Sequence, residues 1–186
     1  MSELKKVIGD YDRFIDELTT EVSEQGFDLD DFMALDHICY RVGSIERYKE
    51  KKDQLSVLAR LMTETMVNGR PIATFDLNAP IIVGRWRVDA IELPAPKPGR
   101  DEIEGLEHGE LVLYDSIKEF LGKYRGKGLD TKAADRGINP EIGYKLPSGK
   151  GVKFHISPLL AVVQLETILG VDEVNDGVSG ISSSLE

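Results

Sequence analysis

Four residues in this chain have the types and spacing to hold a metal ion: His37, Glu92, His108 and His155. They include all three histidines of the 186 residues. Neutral imidazole and carboxylate together suit Zn, Fe, Ni or Mn, and suit Mg and Ca less well. Four such ligands on an octahedral ion leave two adjacent positions, which two neighbouring oxygens of a substrate can fill. The ion then acts as a Lewis acid toward an enolate or another developing oxyanion. If one of the four stays off the ion, a two-histidine, one-carboxylate face remains, and that face suits Fe(II) and O2.

Each of the four lies in a segment that reads as a strand, and strand alternation says what shares its face. LDHICYRV (35–42) puts Cys39 and Arg41 with His37. LEHGELVL (106–113) puts Glu110 and Val112 with His108. Trp86, Val88 and Ala90 go with Glu92, and Lys153 goes with His155. Arg41 could hold an anionic substrate group in a bidentate fork. Glu110 could be a general base or a substitute ligand, and Trp86 an apolar wall. Plainer readings stand beside these. A lone strand histidine is more often structural than a ligand. Cys39 reads as a small buried hydrophobe. Lys153 reads as a surface charge, Glu110 as a solvated rim residue. Only the four-residue set, taken together, points to a metal.

The elements that must position these residues read in order along the chain. Leu4, Val7, Ile8, Tyr11, Phe14, Ile15, Leu18 and Val22 recur at helical spacing and predict an N-terminal helix. After LDHICYRV, Ser44 is an N-cap for a helix over 44–61. Asn68-Gly69 predicts a hairpin between 63–67 and 70–77. A second turn at Asn78 to Pro80 leads into a strand over 81–94. A Pro-, Gly- and charge-rich run, 94–105, reads as a linker. The order then restarts. LEHGELVL is a strand, Asp115 caps a helix over 115–125, strands end at 140–146 and 152–157, and Pro158 opens a last helix. The halves align as a repeat, with His37 over His108 and Glu92 over His155. The spacings are 92 − 37 = 55 and 155 − 108 = 47.

Composition bounds the function. A hydrophobic content of 41% fills a real core, and a net charge of −10 argues against a nucleic-acid partner. No run of about 18 apolar residues predicts a membrane span. The start has no apolar signal region. The single cysteine excludes an intramolecular disulfide and a cysteine-cluster metal site. These readings predict a cytoplasmic protein acting on a small molecule. They leave oligomeric state open, a monomer with a complete site being the simplest case.

LDHICYRV, TMVNGRPIATFDL, VDAIELPAP, LEHGELVL and VKFHISP, in this order, resemble the YecM family of the vicinal oxygen chelate superfamily. That superfamily includes glyoxalase I and extradiol dioxygenases. The resemblance spans roughly residues 30 to 160. It implies an α+β fold in which two βαβββ modules pair into an eight-stranded, curved, incompletely closed sheet, with an added N-terminal helix and a C-terminal helix. The expected boundaries are 1–28 for the helical extension, 29–98 and 99–170 for the modules, and 171–186 for a flexible acidic tail. It implies a divalent metal at His37, Glu92, His108 and His155. Metal-dependent isomerase or lyase chemistry ranks ahead of dioxygenation, because all four ligand positions are filled. A non-catalytic binding protein on the same fold and a metal-free structural domain are the remaining alternatives.

Overall fold

The structure is a computed structural model. It describes residues 2–170 together with the backbone of 173–175 and 178–179. The single apolar stripe expected over 4–22 forms two helices, α1 (Glu3–Ile8) and α2 (Tyr11–Glu24). Gly9, at φ 88°, breaks them in a conformation that suits glycine. A short 3₁₀ turn, Leu29–Asp31, leads into β1 (Phe32–Arg41).

Ser44 caps α3 (Ile45–Ser56) by accepting the Arg47 N–H. The helix ends earlier than its pattern predicts, and Leu61 and Met62 belong to β2 (Ala59–Val67). Asn68 and Gly69, at φ 49° and 77°, turn β2 into β3 (Arg70–Val83), as the hairpin signal predicts. The second turn is not at Asn78 to Pro80. There β3 bulges: the six residues from Asp76 to Ile81 face only the three from Ala90 to Val88 of the partner strand. The chain turns at Gly84 (φ 56°) into β4 (Trp86–Pro94).

In the second half come β5 (Gly105–Leu113), α4 (Ile117–Lys123), β6 (Glu141–Lys145), β7 (Gly151–His155) and α5 (Leu159–Leu169). Ser116, not Asp115, caps α4, in a reciprocal capping box with Glu119. Of the expected flexible tail, only β8 (Glu173–Asn175) and β9 (Val178–Ser179) are described. The rest of it lies outside the described residues.

The strands form one open sheet in the order β6-β7-β5-β1-β4-β3-β2-β8-β9. The two halves meet at an antiparallel β1–β5 pair, and each of these strands has the last strand of its own half, β4 or β7, parallel beside it. The first half shows the full strand–helix–three-strand order. The second is one strand short, so the halves contribute seven strands rather than eight. Where the missing strand would run, the chain makes a single bridge, Asp130 to Gly143.

One face of the sheet carries the main core. Ile38, Ile91, Phe75, Leu111 and Phe154 pack there with α2, α3 and α4. The other face carries a cavity of about 730 Å³. There α5 packs over Ala90 through Leu159 and Val163, and Glu166 joins the cavity lining. Among the described residues, no helix is long and apolar enough to cross a membrane.

Candidate metal centre

The register of four adjacent strands sets the floor of the cavity. Glu92 of β4 lies beside Cys39 of β1, Cys39 beside His108 of β5, and His108 beside Gly151 of β7. In the next row, Ala90 lies beside His37, His37 beside Glu110, and Glu110 beside Lys153. Ile38 pairs with Gly109 between these rows, at the centre of a pseudo-twofold relation. His37 is thus the counterpart of His108, and Cys39 of Glu110. Glu92 is the counterpart of Lys153, two residues from the His155 that sequence alignment sets over it.

Two of the three irregularities in the β1–β5 pairing complete the pattern. Between Leu35 and His37, β1 has one residue more than β5, which makes Asp36 the extra residue. Between Cys39 and Tyr40 the excess is on β5, and the extra residue is Glu107. A bulge re-aims a side chain that alternation would send to the opposite face. Each acid therefore reaches the histidine that follows it. Asp36 Oδ2 lies 2.9 Å from His37 Nδ1, and Glu107 Oε2 lies 2.5 Å from His108 Nδ1. Both rings are held by Nδ1 with Nε2 left toward the cavity, as outer carboxylates orient metal-ligating histidines. Sequence reasoning missed Asp36 and Glu107. The available signal was an acid directly before the histidine in each half.

The ligand atoms of His37, Glu92, His108 and Glu110 all lie within 4.8 Å of one another. Glu110 Oε1 is 3.3 Å from His37 Nε2 and 3.2 Å from His108 Nε2, and Glu92 Oε2 is 3.9 Å from His108 Nε2. Lys153 Nζ is 2.7 Å from Glu110 Oε1 and 3.4 Å from Glu141 Oε2. Lys153 thus points into the cavity and is no surface charge. Glu110, with its side chain 3% exposed, is no rim residue.

The charges in this cluster hold each other in their ionised forms. Burial disfavours the His37 imidazolium, but Glu110 and Asp36 raise it to about 10. Burial also opposes the charge on His108, which Cys39 and Glu107 nonetheless hold well above the ordinary histidine value. Burial raises Glu110, and Lys153 and His37 outweigh it, bringing it well below the usual carboxylate range. Glu107 falls to about 2: burial raises it, and His108 and Arg41 outweigh that. Burial likewise opposes the Lys153 charge, yet Glu110, Glu141 and Glu92 hold it well above its usual value.

The other expected site residues are distributed differently. His155 is fully buried, with its ring 6.0 Å from that of His37 and both ring nitrogens without hydrogen-bond partners. It has a ligand atom within 4.8 Å of those of Asp36 and His37, a second group able to hold an ion. Its Nε2 is 3.9 Å from both Asp36 and Glu110, and burial pushes the imidazole below its ordinary value, so it is neutral. Arg41 lines the cavity and pairs with Glu107 at 3.0 Å. Cys39 is buried at the floor, between Glu92 and His108. Trp86, expected as an apolar wall, lies beyond the β3 bulge and packs in the main core.

A divalent ion fits the four gathered donors. His37 Nε2 is buried without a hydrogen-bond partner. Two imidazoles with carboxylates form a donor set suited to Zn, Fe, Ni or Mn. A cation would also relieve the crowding of Asp36, Glu92, Glu107 and Glu110, of which Asp36 and Glu110 now hold a proton on His37 and Glu107 helps hold one on His108.

Comparison with known proteins places the chain. The family model described as YecM protein matches residues 3–150. Protein YecM of Escherichia coli (strain K12) is 33% identical over 174 residues, 91% of this chain and 88% of that protein. An uncharacterised protein of Haemophilus influenzae (strain ATCC 51907 / DSM 11121 / KW20 / Rd) is 33% identical over 117 residues, 61% of this chain and 59% of its own length. The solved structure of Protein EC4020 superposes with a TM-score of 0.71 at 29% identity, covering 89% of this chain and 94% of that one. With its paired strand–helix–strand halves and a family match over most of its length, the chain belongs to the YecM family.

Proposed function

We propose that this protein is a metal-dependent enzyme that binds a small substrate through two adjacent oxygens and stabilises an enolate or related oxyanion, in an isomerase or lyase reaction. One observation carries the reading: His37, Glu92, His108 and Glu110 converge at the floor of a cavity, with both imidazoles braced from behind by bulged carboxylates. A bound divalent ion would supply Lewis acidity and hold the two substrate oxygens. The protein's own groups do the rest. Asp36 and Glu107 fix the ring orientations. Lys153, kept protonated by its carboxylate neighbours, presents a fixed positive charge to an oxyanion. Glu110 is the acceptor beside it. The cavity end at Arg41 receives an anionic group.

The Lys153 contact favours a second reading. With Glu110 engaged by Lys153 at 2.7 Å, the donors left are His37, His108 and Glu92. Two histidines and one carboxylate suit Fe(II) and O2, so dioxygenation is the alternative.

Metal analysis of protein purified without a histidine tag tests the proposal, with wild type set against His37→Ala and His108→Ala. About one divalent ion per wild-type chain and loss in both variants is expected. Equal, negligible metal in all three, even after loading with Zn, Mn or Fe(II), would sink it. A screen over 2-oxo acids, hydroxy acids and catechols follows. O2 uptake with the Fe(II) form would move the second reading ahead of the first.

A further inference from the structure

The cavity has a cationic end that the metal cluster does not explain. Arg41 enters from β1, Arg70 from β3, and Lys97 from the segment joining β4 to β5, and all three line the cavity. Arg100 is a neighbour of Lys97. Against these four cations stand Glu102 and Glu107. Glu107 is shared, with Oε2 on His108 and Oε1 at 3.0 Å from Arg41, so two carboxylates face four cations. Glu102 lies 3.8 Å from Arg41 and 3.7 Å from Arg70, beyond direct hydrogen-bond reach. The cluster is therefore locally positive on a chain of net charge −10.

Two features show donors left to use. Arg41 Nε is buried with no hydrogen-bond partner. The Lys97 ammonium has no hydrogen-bonded or ion-paired partner among the described residues, whereas the Lys97 backbone N–H donates to Glu102 Oε2 at 3.4 Å. Partial burial and the charges of Arg70, Arg100 and Arg41 hold Lys97 below the ordinary lysine value, as a cation among cations should be. The segment that carries Lys97 is seated on the sheet. A Cβ at Gly43 would come within 2.9 Å of the Glu102 carbonyl oxygen, so glycine lets the segment lie this close.

We propose that Arg41, Arg70 and Lys97 form an anion subsite at one end of the cavity, and that the substrate is a short acid with two adjacent oxygens at one end and a carboxylate or phosphate at the other. Arg41 is two residues past Cys39 on the same strand, roughly 7 Å further along. A short carbon chain spans that distance. The subsite sets the orientation of the substrate, because the carboxylate-rich floor repels its distal anion and the cationic end attracts it. This inference rests on the chelating reading above.

Calorimetry on metal-loaded protein tests it with two pairs of probes. 2-Oxoglutarate is set against 2-oxopentanoate, which has the same chelating end and a methyl in place of the distal carboxylate. Glycerate 3-phosphate is set against glycerate. In at least one pair the distal anion should tighten binding by roughly tenfold or more, about the worth of one charge-assisted hydrogen bond. Which pair responds tells carboxylate from phosphate. The preference should shrink with added salt. It should be lost in Lys97→Glu, a change on an exposed segment away from the four donors. Equal affinities within both pairs, or a preference that survives Lys97→Glu, overturn the subsite. If 2-oxopentanoate or glycerate still binds only with metal present, the chelating reading survives that failure. If no probe binds, or binding ignores the metal, both fall.

Discussion

The two halves of this protein carry the same device and differ at one neighbour. Each half has a bulged acid followed by a histidine, Asp36-His37 on β1 and Glu107-His108 on β5. Each histidine is braced at Nδ1 and leaves Nε2 toward the cavity. On the adjacent last strand, however, the first half presents Glu92 and the second presents Lys153. A symmetric pair of carboxylates would make only a metal cage. One carboxylate and one ammonium make a site with a donor side and a proton-bearing, anion-stabilising side. In the proposed reading, the repeat supplies the scaffold for a metal, and the break in the repeat supplies the asymmetry that a reaction needs.

The largest way to break that comparison is to remove either ring. His37→Ala and His108→Ala should each weaken metal binding more than the ~10–100-fold typical for loss of an outer partner. Calorimetric titration with Zn or Mn measures it. A tenfold or smaller loss in one of them would show that the halves do not share the ion.

Next come the braces. Asp36→Asn and Glu107→Gln should each cost about 10–100-fold in metal affinity. They should differ in stability. Asp36 also accepts the Leu159 N–H at 2.7 Å, at the start of α5, whereas Glu107 pairs with the Arg41 side chain. Asp36→Ala should therefore lower metal-free stability by about 1–3 kcal/mol through an unpaired buried N–H, and Glu107→Ala by less. Chemical denaturation of both variants decides this, and equal losses would refute the distinction.

Gly109 sharpens the comparison from the core side. It faces Ile38 across the pseudo-twofold centre, and a Cβ there would meet Leu18 Cδ2 at 2.6 Å and Leu35 Cδ1 at 3.1 Å. The second half thus gives up a side chain so that α2 can pack against the sheet. Gly109→Ala should cost about 1–3 kcal/mol by overpacking, read from the same denaturation curves. A neutral result would mean that α2 moves freely.

The last test is a pH slope. The His37 value is raised from 6.5 to about 10 in the folded protein, so the folded state binds more protons than the unfolded state between those limits. Its stabilising contribution is complete below pH 6.5 and fades as the pH rises through about 10. Metal-free protein should lose thermal stability across that window, and His37→Gln should flatten the slope. Metal affinity should run the other way and rise with pH, because the ion needs deprotonated rings. Parallel rather than opposed trends would contradict the assignment of His37 Nε2 as a donor.

Much of this architecture was legible in the chain. Apolar spacing placed the helices, Ser44 and Asn68-Gly69 marked a cap and a turn, and the alternating segments around His37, Glu92 and His108 put their side chains on one face. Asn78 to Pro80 did mark an irregularity, but turn-forming residues signal a departure from the ladder without saying whether the strand reverses or bulges. The break of the first helix at Gly9 was hidden because the apolar stripe continues across it.

The sequence by itself determined which residue types nearest His37, Glu92 and His108 face the cavity, since between bulges a strand's period of two assigns faces from the order of residues alone. It could not determine the rows. A slip of two residues leaves every side chain on the same face and changes all of its neighbours. For that reason, aligning Glu92 with His155 was consistent with every pattern in the chain, and only the pairing of β7 with β5 put Lys153 in that row and His155 behind it. The bulges at Asp36 and Glu107 belong to the same class. A one-residue excess exists only relative to a partner strand, so the braces behind the two histidines were decided when β1 and β5 came together.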